Sequence, residues 1–391
     1  MKITYITDFD ILNPTERNSH HPKAVGHRGR CFYAAKSLVD EQTTVQYLCP
    51  LSRKSALISK LKWRFYRYIL QQRYIAWAEP SVSQNYAAQI KQRLSNVKSD
   101  VVMAPEINLL AYLECDRPLV LWTDTPYAGL FDGYTDFSHL CRETINHLTT
   151  MDRLTLHKCQ LVIFPSKWAA DIAIKNYQVD PAKVEVVPFG ANIECDRTLA
   201  DIQSLVNARS QQTCKLLFIG VDWVRKGGTI ALNVAKQLQE NGLDVELIIV
   251  GCQPPENEYP LPDFVKPLGF INKSTPAGLA KFNSLIAESH FLIVPSQAET
   301  YGNVFCEANS FGVPCLATNA GGIATIIRDG INGKTFSPDA NPQEYCTYIE
   351  DIFSHYSTYK SLALSAFHEY QTRFDWSAAG QSVRNLLSNI V

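Results

Sequence analysis

The stretch FLIVPSQAETYGNVFCEA, residues 291–308, contains the pattern that decides the fold. Four apolar residues come first, a polar loop follows, and a helical pattern begins near Asn303. A run that is apolar on both faces is typical of a parallel strand covered by helices on both sides. A second such run, residues 247–250, shows that the pattern is repeated. We therefore expect an α/β protein built from parallel sheets.

Strand and helix patterns alternate along the rest of the chain. Strands are predicted at residues 2–7, 44–49, 101–104, 119–123, 161–165 and 184–188, and again at 215–220, 245–251, 265–269, 291–295, 314–318 and 333–336. Two such series predict two Rossmann-like, doubly wound domains, residues 1–190 and 191–372, with a last helix at 373–391 that returns to the first domain. Because ligands of open parallel sheets bind beyond the carboxyl ends of the strands, we expect a cleft between the domains to hold the site.

Bulk composition excludes several classes of protein. The 391 residues are 46% apolar and carry a formal net charge of -1, which argues against disorder and against general nucleic-acid binding. The 11 cysteines show no zinc-site spacing and suit a reducing compartment. Since no run is long enough to span a bilayer, we expect a soluble, cytoplasmic protein.

The loop and helix start at residues 299–307 have the chemistry of a sugar-nucleotide site. Backbone amides of Tyr301, Gly302, Asn303 and Val304 are predicted as helix-start donors to a diphosphate or to hydroxyl groups. The carboxylates of Glu299 and Glu307 can accept hydrogen bonds from sugar and ribose hydroxyls. Alternatively, Glu307 complements the helix dipole and Glu299 lies in a solvated loop.

A basic pair precedes another predicted helix. Arg225 and Lys226 follow the strand that ends near Gly220. Cations near a helix N-terminus are locally unfavourable, and a bound diphosphate would reverse this. Fixed cations would also stabilise charge that develops on a leaving diphosphate. The alternative is a solvated basic turn.

The residue 299–333 region closely resembles the group 1, or family four, retaining nucleotide-sugar glycosyltransferases of the GT-B fold. Glu299 and Glu307 match the two acids of the E-x7-E motif, and the likeness continues through residues 312–314, 321–322 and 329–333. This resemblance implies that Glu299 holds the donor sugar, that Glu307 binds ribose, and that Lys226 grips the diphosphate. The family arginine position is Val221 here, so Arg225 is expected to supply that charge.

Weaker likenesses add three candidates. Phe270, in Gly269-Phe270-Ile271, resembles the loop that meets the nucleobase, although it could equally be a core residue. Gly26 matches one glycine of a loop that approaches the donor phosphate before a helix at residues 30–38, or lies in a tight turn. Asp124 stands near the position of a family histidine that contacts the donor sugar, or caps a turn.

Residues 52–74 are basic and aromatic. They carry Arg53, Lys54, Lys60, Lys62, Arg64, Arg67 and Arg73 without an acid, together with Trp63, Phe65, Tyr66, Tyr68 and Tyr74. A basic amphipathic helix of this kind predicts peripheral contact with an anionic membrane. A solvated helix with its aromatic rings turned inward explains the pattern about as well.

Together these patterns predict a metal-independent hexosyl transfer from a nucleotide-diphosphate sugar to a glycan, lipid-linked or small-molecule acceptor, as in polysaccharide or glycolipid biosynthesis. The family resemblance implies that the transfer retains the configuration of the sugar. No separate cofactor is expected. Asp8-Phe9-Asp10 imitates a D-x-D metal motif, but we interpret it as a loop. The alternatives are a non-catalytic sugar-nucleotide binder or partner subunit, or a sugar phosphorylase or epimerase on the same fold.

Overall fold

A computed structural model describes residues 1–13, 22–53, 57–273 and 275–391. Within these ranges the chain forms two compact units. The first contains the described residues up to 13, together with 31–188 and 379–391. The second contains residues 22–30 and 189–378.

The first unit is built on a parallel six-stranded sheet. Its strands follow the order β2-β1-β3-β4-β5-β6. The strands are β1 (Lys2–Ile6), β2 (Thr44–Leu48), β3 (Val101–Ala104), β4 (Leu119–Trp122), β5 (Leu161–Phe164) and β6 (Val184–Val186). The helices along this part of the chain are α1 (Pro22–Ser37), α2 (Leu57–Tyr68), α3 (Pro80–Leu94), α4 (Ile107–Leu110), α5 (Arg142–Lys158) and α6 (Lys167–Tyr177).

The second unit repeats this design, in the order β12-β11-β10-β7-β8-β9. Its strands are β7 (Cys214–Ile219), β8 (Val245–Val250), β9 (Val265–Gly269), β10 (Phe291–Val294), β11 (Cys315–Thr318) and β12 (Gly333–Phe336). The helices along this part of the chain are α7 (Leu199–Ala208), α8 (Gly228–Glu240), α9 (Pro276–Glu288), α10 (Asn303–Asn309), α11 (Ile323–Ile326), α12 (Pro342–Ser354) and α13 (Tyr356–Glu369). A π-helical turn at Tyr370–Phe374 follows, and then α14 (Trp376–Leu387), whose residues from 379 onward belong to the first unit.

Burial explains why the central strands could be predicted. Every residue of β3, β4, β5, β10 and β11 is buried, as expected for strands covered on both faces. The two parallel sheets and all twelve predicted strands are confirmed, with ends that differ by at most two residues. Pairing is in register, for example Lys2 with Thr44 and Cys214 with Val245.

The last residues pack within the first unit. Arg384 of α14 donates from Nη1 to the carbonyl oxygen of Ser37 over 2.5 Å. A Cβ on Gly380 would lie 2.0 Å from the same oxygen, so this approach requires glycine. All eleven cysteines lie in the described ranges and are free thiols. Among the helices that the structure describes, none has both the length and the apolar character needed to cross a bilayer.

Candidate active site

The loop between β7 and α8 buries a lysine. Gly227 has a φ of +74°, and a Cβ there would lie 2.0 Å from the carbonyl oxygen of Pro295, so the loop packs tightly against the end of β10. A Cβ on Gly220 would meet the Lys226 stem at 2.8 Å. The side chain of Lys226 is thereby turned inward, and the residue is only 8% exposed.

A second loop, between β10 and α10, fixes Glu299. The Gly322 amide donates to the Glu299 carbonyl oxygen over 3.0 Å. Gly321 has a φ of +56°, and a Cβ there would come within 2.0 Å of that same oxygen. The close approach of Gly321 and the amide of Gly322 therefore hold the backbone of Glu299 against the turn after β11.

The two loops meet in a cluster of two cations and a carboxylate. The Lys226 ammonium donates to Oε2 of Glu299, and both residues are buried. Arg225 places Nη1 3.8 Å from the same carboxylate oxygen and 3.0 Å from the Ala298 carbonyl oxygen. Burial lowers the pKa of Lys226, and the negative charge of Glu299 opposes that shift. The alternative interpretation of this pair as a solvated basic turn is wrong, because the pair is enclosed by the Glu299 loop.

Arg225 lies beside the cluster, whereas the residue at the family arginine position carries no charge. Val221, at the family arginine position, is 36% exposed and carries no charge. Arg225 reaches the cluster from the other end of the same loop, where the Asp222 carboxylate lies 3.8 Å from its Nε atom. The two positive charges of Arg225 and Lys226 thus lie beside the carboxylates of Asp222 and Glu299, beyond β7 and β10, in a position where an anion could compete with Glu299.

Glu307 lies on α10 and has its own cation. Its side chain is buried, and Oε1 accepts a 2.8 Å hydrogen bond from the Lys273 ammonium. Glu307 therefore does more than complement a helix dipole, and Glu299 is not a solvated loop residue. Lys273 was missed from the sequence, although it lies only three residues after Phe270.

Comparisons with known proteins agree with this geometry. Residues 213–355 match the family model for glycosyl transferases group 1. This part of the chain is thus similar to the group 1 glycosyltransferases. The family resemblance predicted from the Glu299–Gly333 region is thereby confirmed.

The curated relatives match this chain over only part of their own length. The D-inositol 3-phosphate glycosyltransferase of Paenarthrobacter aurescens is 24% identical over 234 residues, which cover 57% of this chain and 56% of that protein. The sulfoquinovosyl transferase SQD2 of Arabidopsis thaliana is 33% identical over 102 residues, 25% of this chain and 20% of that protein. The match to the D-inositol 3-phosphate enzymes thus spans about half their length.

Solved structures show the fold over the whole chain. A sucrose-phosphate synthase from Thermosynechococcus elongatus has a TM-score of 0.69 at 15% identity and covers 99% of this chain and 98% of its own. Anabaena HepE, solved in complex with UDP-glucose, has a TM-score of 0.62 at 19% identity, with 100% of both chains covered. The predicted GT-B fold, with two Rossmann-like domains, is confirmed.

Several predicted site residues have structural tasks. The hydroxyl of Tyr301, which is 1% exposed, donates to the Phe189 carbonyl oxygen over 2.7 Å. Asn303 donates from Nδ2 to the Gly190 carbonyl oxygen over 3.0 Å. Gly302 has a φ of +98° and lies directly before α10, so its conformation suits glycine, and Val304 lies half-buried in the first turn. A role for the backbone amides of these four residues stays a prediction.

The structure excludes the alternative interpretations of Phe270 as a core residue and of Gly26 as part of a tight turn. Phe270 is 45% exposed, so its interpretation as a core residue is wrong, while its contact with a nucleobase stays a prediction. Gly26 lies inside α1, which begins at Pro22, and not in a loop before a helix that starts at residue 30. A Cβ on Gly26 would meet nothing within 4 Å, and its carbonyl oxygen accepts a 3.2 Å hydrogen bond from Asn192. Neither a tight turn nor close packing therefore explains this glycine.

The acidic candidates of the first unit lie at strand ends. Asp124 is half-buried and lies two residues beyond β4, in the first unit, while the Lys226 cluster belongs to the second unit. A contact between Asp124 and the donor sugar stays a prediction. Asp10 follows β1, and its Oδ1 atom accepts a 3.0 Å hydrogen bond from the Leu12 amide. This turn agrees with the interpretation of Asp8-Phe9-Asp10 as a loop.

Proposed function

We propose that this protein transfers a glycosyl group from a nucleoside-diphosphate sugar to an acceptor hydroxyl group. The observation that carries the proposal is the buried contact between Lys226 and Glu299, with Arg225 beside it. Burying an amine lowers the pKa of that amine, and here the nearby carboxylate opposes the shift. A bound diphosphate would provide a second, stronger neutralising group at the same position.

Each side chain of the cluster has a task in the proposed reaction. Lys226 and Arg225 bind the diphosphate and stabilise the negative charge that grows on it as the sugar–phosphate bond breaks. Glu299, released from Lys226 by the diphosphate, accepts hydrogen bonds from the sugar hydroxyls. Positive charge develops on the sugar ring in an oxocarbenium-like transition state, so a nearby carboxylate also favours bond cleavage.

The rest of the donor extends toward α10 and β9. Glu307 accepts hydrogen bonds from the ribose hydroxyls, and the exposed ring of Phe270 contacts the base. Asp124 is also proposed to contact the donor sugar. Because Lys226 and Arg225 supply the positive charge, transfer is proposed to need no divalent metal, and retention of configuration follows the family resemblance.

We propose that the protein binds its acceptor at the surface of an anionic membrane. Helix α2 leaves large apolar side chains in solvent, with Leu61 65%, Phe65 51% and Tyr68 68% exposed. Lys60, Arg64 and Arg67 are exposed on the same helix. This combination suits insertion of apolar side chains among anionic headgroups, and it favours a lipid-linked acceptor.

Only part of the predicted basic segment takes part in this surface. Lys62 donates to Glu79 over 2.9 Å and to Glu143 over 2.5 Å, so it anchors α2 to the unit. Tyr66 and Tyr74 face inward, whereas Trp63 is 40% exposed, so the alternative with all rings turned inward is wrong. Lys54 lies outside the described residues.

Nucleotide release tests the proposed transfer. We expect the protein to release free nucleoside diphosphate from at least one of the UDP-, GDP- or ADP-sugars, with EDTA present, when acceptor lipids or glycans are added. Lys226→Met and Glu299→Ala should each lower the rate about a hundredfold to a thousandfold, as expected when a transition-state contact is lost. Thermal unfolding of both variants should show that the fold is intact.

The opposite end of β7 offers matched controls. Lys215 pairs with Glu288 over 3.2 Å, so Lys215→Met and Glu288→Ala remove the same charges outside the cluster. These variants should keep the full rate of release. A protein that is stabilised by nucleotides but releases none from any sugar conjugate would instead be a non-catalytic binder, and the proposal would be wrong.

A further inference from the structure

Lys273 is the cation of the site that no motif predicts. It lies in the turn between β9 and α9, two residues before Thr275, which caps α9 by accepting a hydrogen bond from Gly278. Its ammonium is 2.8 Å from Oε1 of Glu307 and 4.6 Å from the ring centre of Phe282, which is itself buried. The Lys273 side chain is therefore held by two neighbours, one charged and one aromatic.

The contact uses only one side of the Glu307 carboxylate. Among the described residues, Lys273 is the single side chain that donates to Glu307, and it does so at Oε1. The second carboxylate oxygen is left for another donor. Because an ionised carboxylate accepts several hydrogen bonds, a carboxylate fixed through one oxygen can offer the other to a hydroxyl group.

We propose that Lys273 is a positioning residue: its hydrogen bond to Oε1 of Glu307 directs the other carboxylate oxygen toward the ribose of the nucleotide. The inference rests on the proposed role of Glu307 in ribose binding. Lys273 itself contacts no part of the nucleotide. Its effect on binding therefore depends on Glu307 and on the ribose hydroxyls, and not on the diphosphate charge.

A comparison of two nucleotides distinguishes a role in ribose binding from a general effect on nucleotide binding. Binding of UDP and of 2′-deoxy-UDP is measured by isothermal titration calorimetry, since the two ligands differ only in a ribose hydroxyl. In the wild-type protein UDP should bind more tightly. Lys273→Met should weaken UDP binding about tenfold and leave 2′-deoxy-UDP binding nearly unchanged, while Lys273→Arg should restore most of the difference.

A double substitution tests whether Lys273 acts through Glu307. Glu307→Gln should reduce the preference for UDP on its own, and Lys273→Met should add nothing further in that background. Lys215→Met, which removes a paired lysine elsewhere in the unit, should leave both affinities unchanged. If Lys273→Met weakens UDP and 2′-deoxy-UDP equally, or still weakens UDP in the Glu307→Gln protein, Lys273 contacts the ligand itself and the inference is overturned.

A different set of affinities is expected if the proposed role of Glu307 in ribose binding is itself wrong. If Glu307→Gln leaves the preference for UDP unchanged, Glu307 does not bind ribose, and both its proposed role and the positioning role of Lys273 are wrong. If Glu307→Gln abolishes the preference and Lys273→Met does not alter it, only the positioning role is wrong.

Discussion

Lys226 and Glu299 neutralise each other in the structure, yet each is also needed by the proposed donor. The diphosphate requires the ammonium, and the sugar requires the carboxylate. Since the two groups are hydrogen-bonded and buried, a diphosphate that takes the ammonium away from Oε2 of Glu299 has to break this ion pair. Glu299 therefore competes with the diphosphate for Lys226 until the sugar supplies new partners for the carboxylate.

A charge-neutral replacement should reveal this competition. We expect Glu299→Gln to bind UDP about three- to tenfold more tightly than the wild-type protein, because no ion pair has to be broken. The same variant should release nucleotide from a UDP-sugar far more slowly, since the carboxylate is missing from the transition state. Calorimetry gives the affinity, and a nucleotide-release assay gives the rate.

Glu288→Gln is the control for the loss of one negative charge, because Glu288 pairs with Lys215 outside the cluster. It should change neither UDP affinity nor rate. Unchanged or weaker UDP binding by Glu299→Gln would show that the Lys226–Glu299 contact persists when the nucleotide is bound.

Sequence patterns predict that Lys226 and Glu299 act at one site, but they do not predict the contact between Lys273 and Glu307. Lys226 and Glu299 follow strand ends, and parallel strands end at one edge of a sheet, so their proximity follows from the topology. Lys273 pairs with a residue 34 positions away through a turn, and no periodicity records such a contact. Gly26 was misplaced because the residues before it, which include Pro22 at the first helical position, already belong to α1.

At the scale of secondary structure, buried strands were easier to predict than helix ends. β10 and β8 are nearly all apolar, and this composition has few explanations other than a covered parallel strand. The start of α1 lies eight residues before the predicted position, at residue 30, because the apolar pattern appears only in its second half. Helix α2 was expected from its amphipathic pattern, but its outward-facing rings depend on packing that the pattern does not contain.

Helix α2 is predicted to bind anionic membranes. We expect the protein to cosediment with vesicles of phosphatidylglycerol and phosphatidylcholine in equal parts, and not with phosphatidylcholine alone. Replacing Lys60, Arg64 and Arg67 by Ser should weaken binding about a hundredfold, at about 1 kcal/mol for each cation near the surface. Lys62 is left in place because its ion pairs hold the helix.

A matched triple variant separates local charge from net charge. Lys91, Lys98 and Lys175 are exposed in the first unit outside α2, and replacing them by Ser removes the same total charge. This control should bind vesicles as the wild-type protein does. Equal losses in both triple variants, or no loss in the α2 variant, would contradict a membrane surface on α2.

Across the whole molecule, the two sheets share a strand arrangement but differ in their chemistry. The basic cluster, Glu299 and Glu307 all belong to the second unit, at the carboxyl end of its sheet. The opposite end of that sheet contains His290, directly before β10 and fully buried. One end is thus available to bind ligands, while the other depends on a histidine that contributes to stability.

His290 must be neutral to fit its surroundings. Its Nδ1 atom accepts a 2.9 Å hydrogen bond from the Lys215 amide, so Nε2 carries the hydrogen that is donated to the Ser210 carbonyl oxygen over 2.7 Å. Protonation would place a second hydrogen against the amide. Burial lowers the pKa of His290 from 6.5 to about 4.

The stability of the folded protein should therefore fall in acid. Because the pKa of His290 is lower in the folded state, its contribution is present above pH 6.5 and is lost as the pH falls from 6.5 to about 4, by about 3 kcal/mol of unfolding free energy. Urea unfolding across this range should show a smaller loss in His290→Asn, whose side-chain oxygen can still accept the Lys215 amide. The exposed His355, replaced by Asn, should keep the wild-type pH dependence. An equal loss of stability in His290→Asn and in the wild-type protein would mean that other groups cause the acid sensitivity.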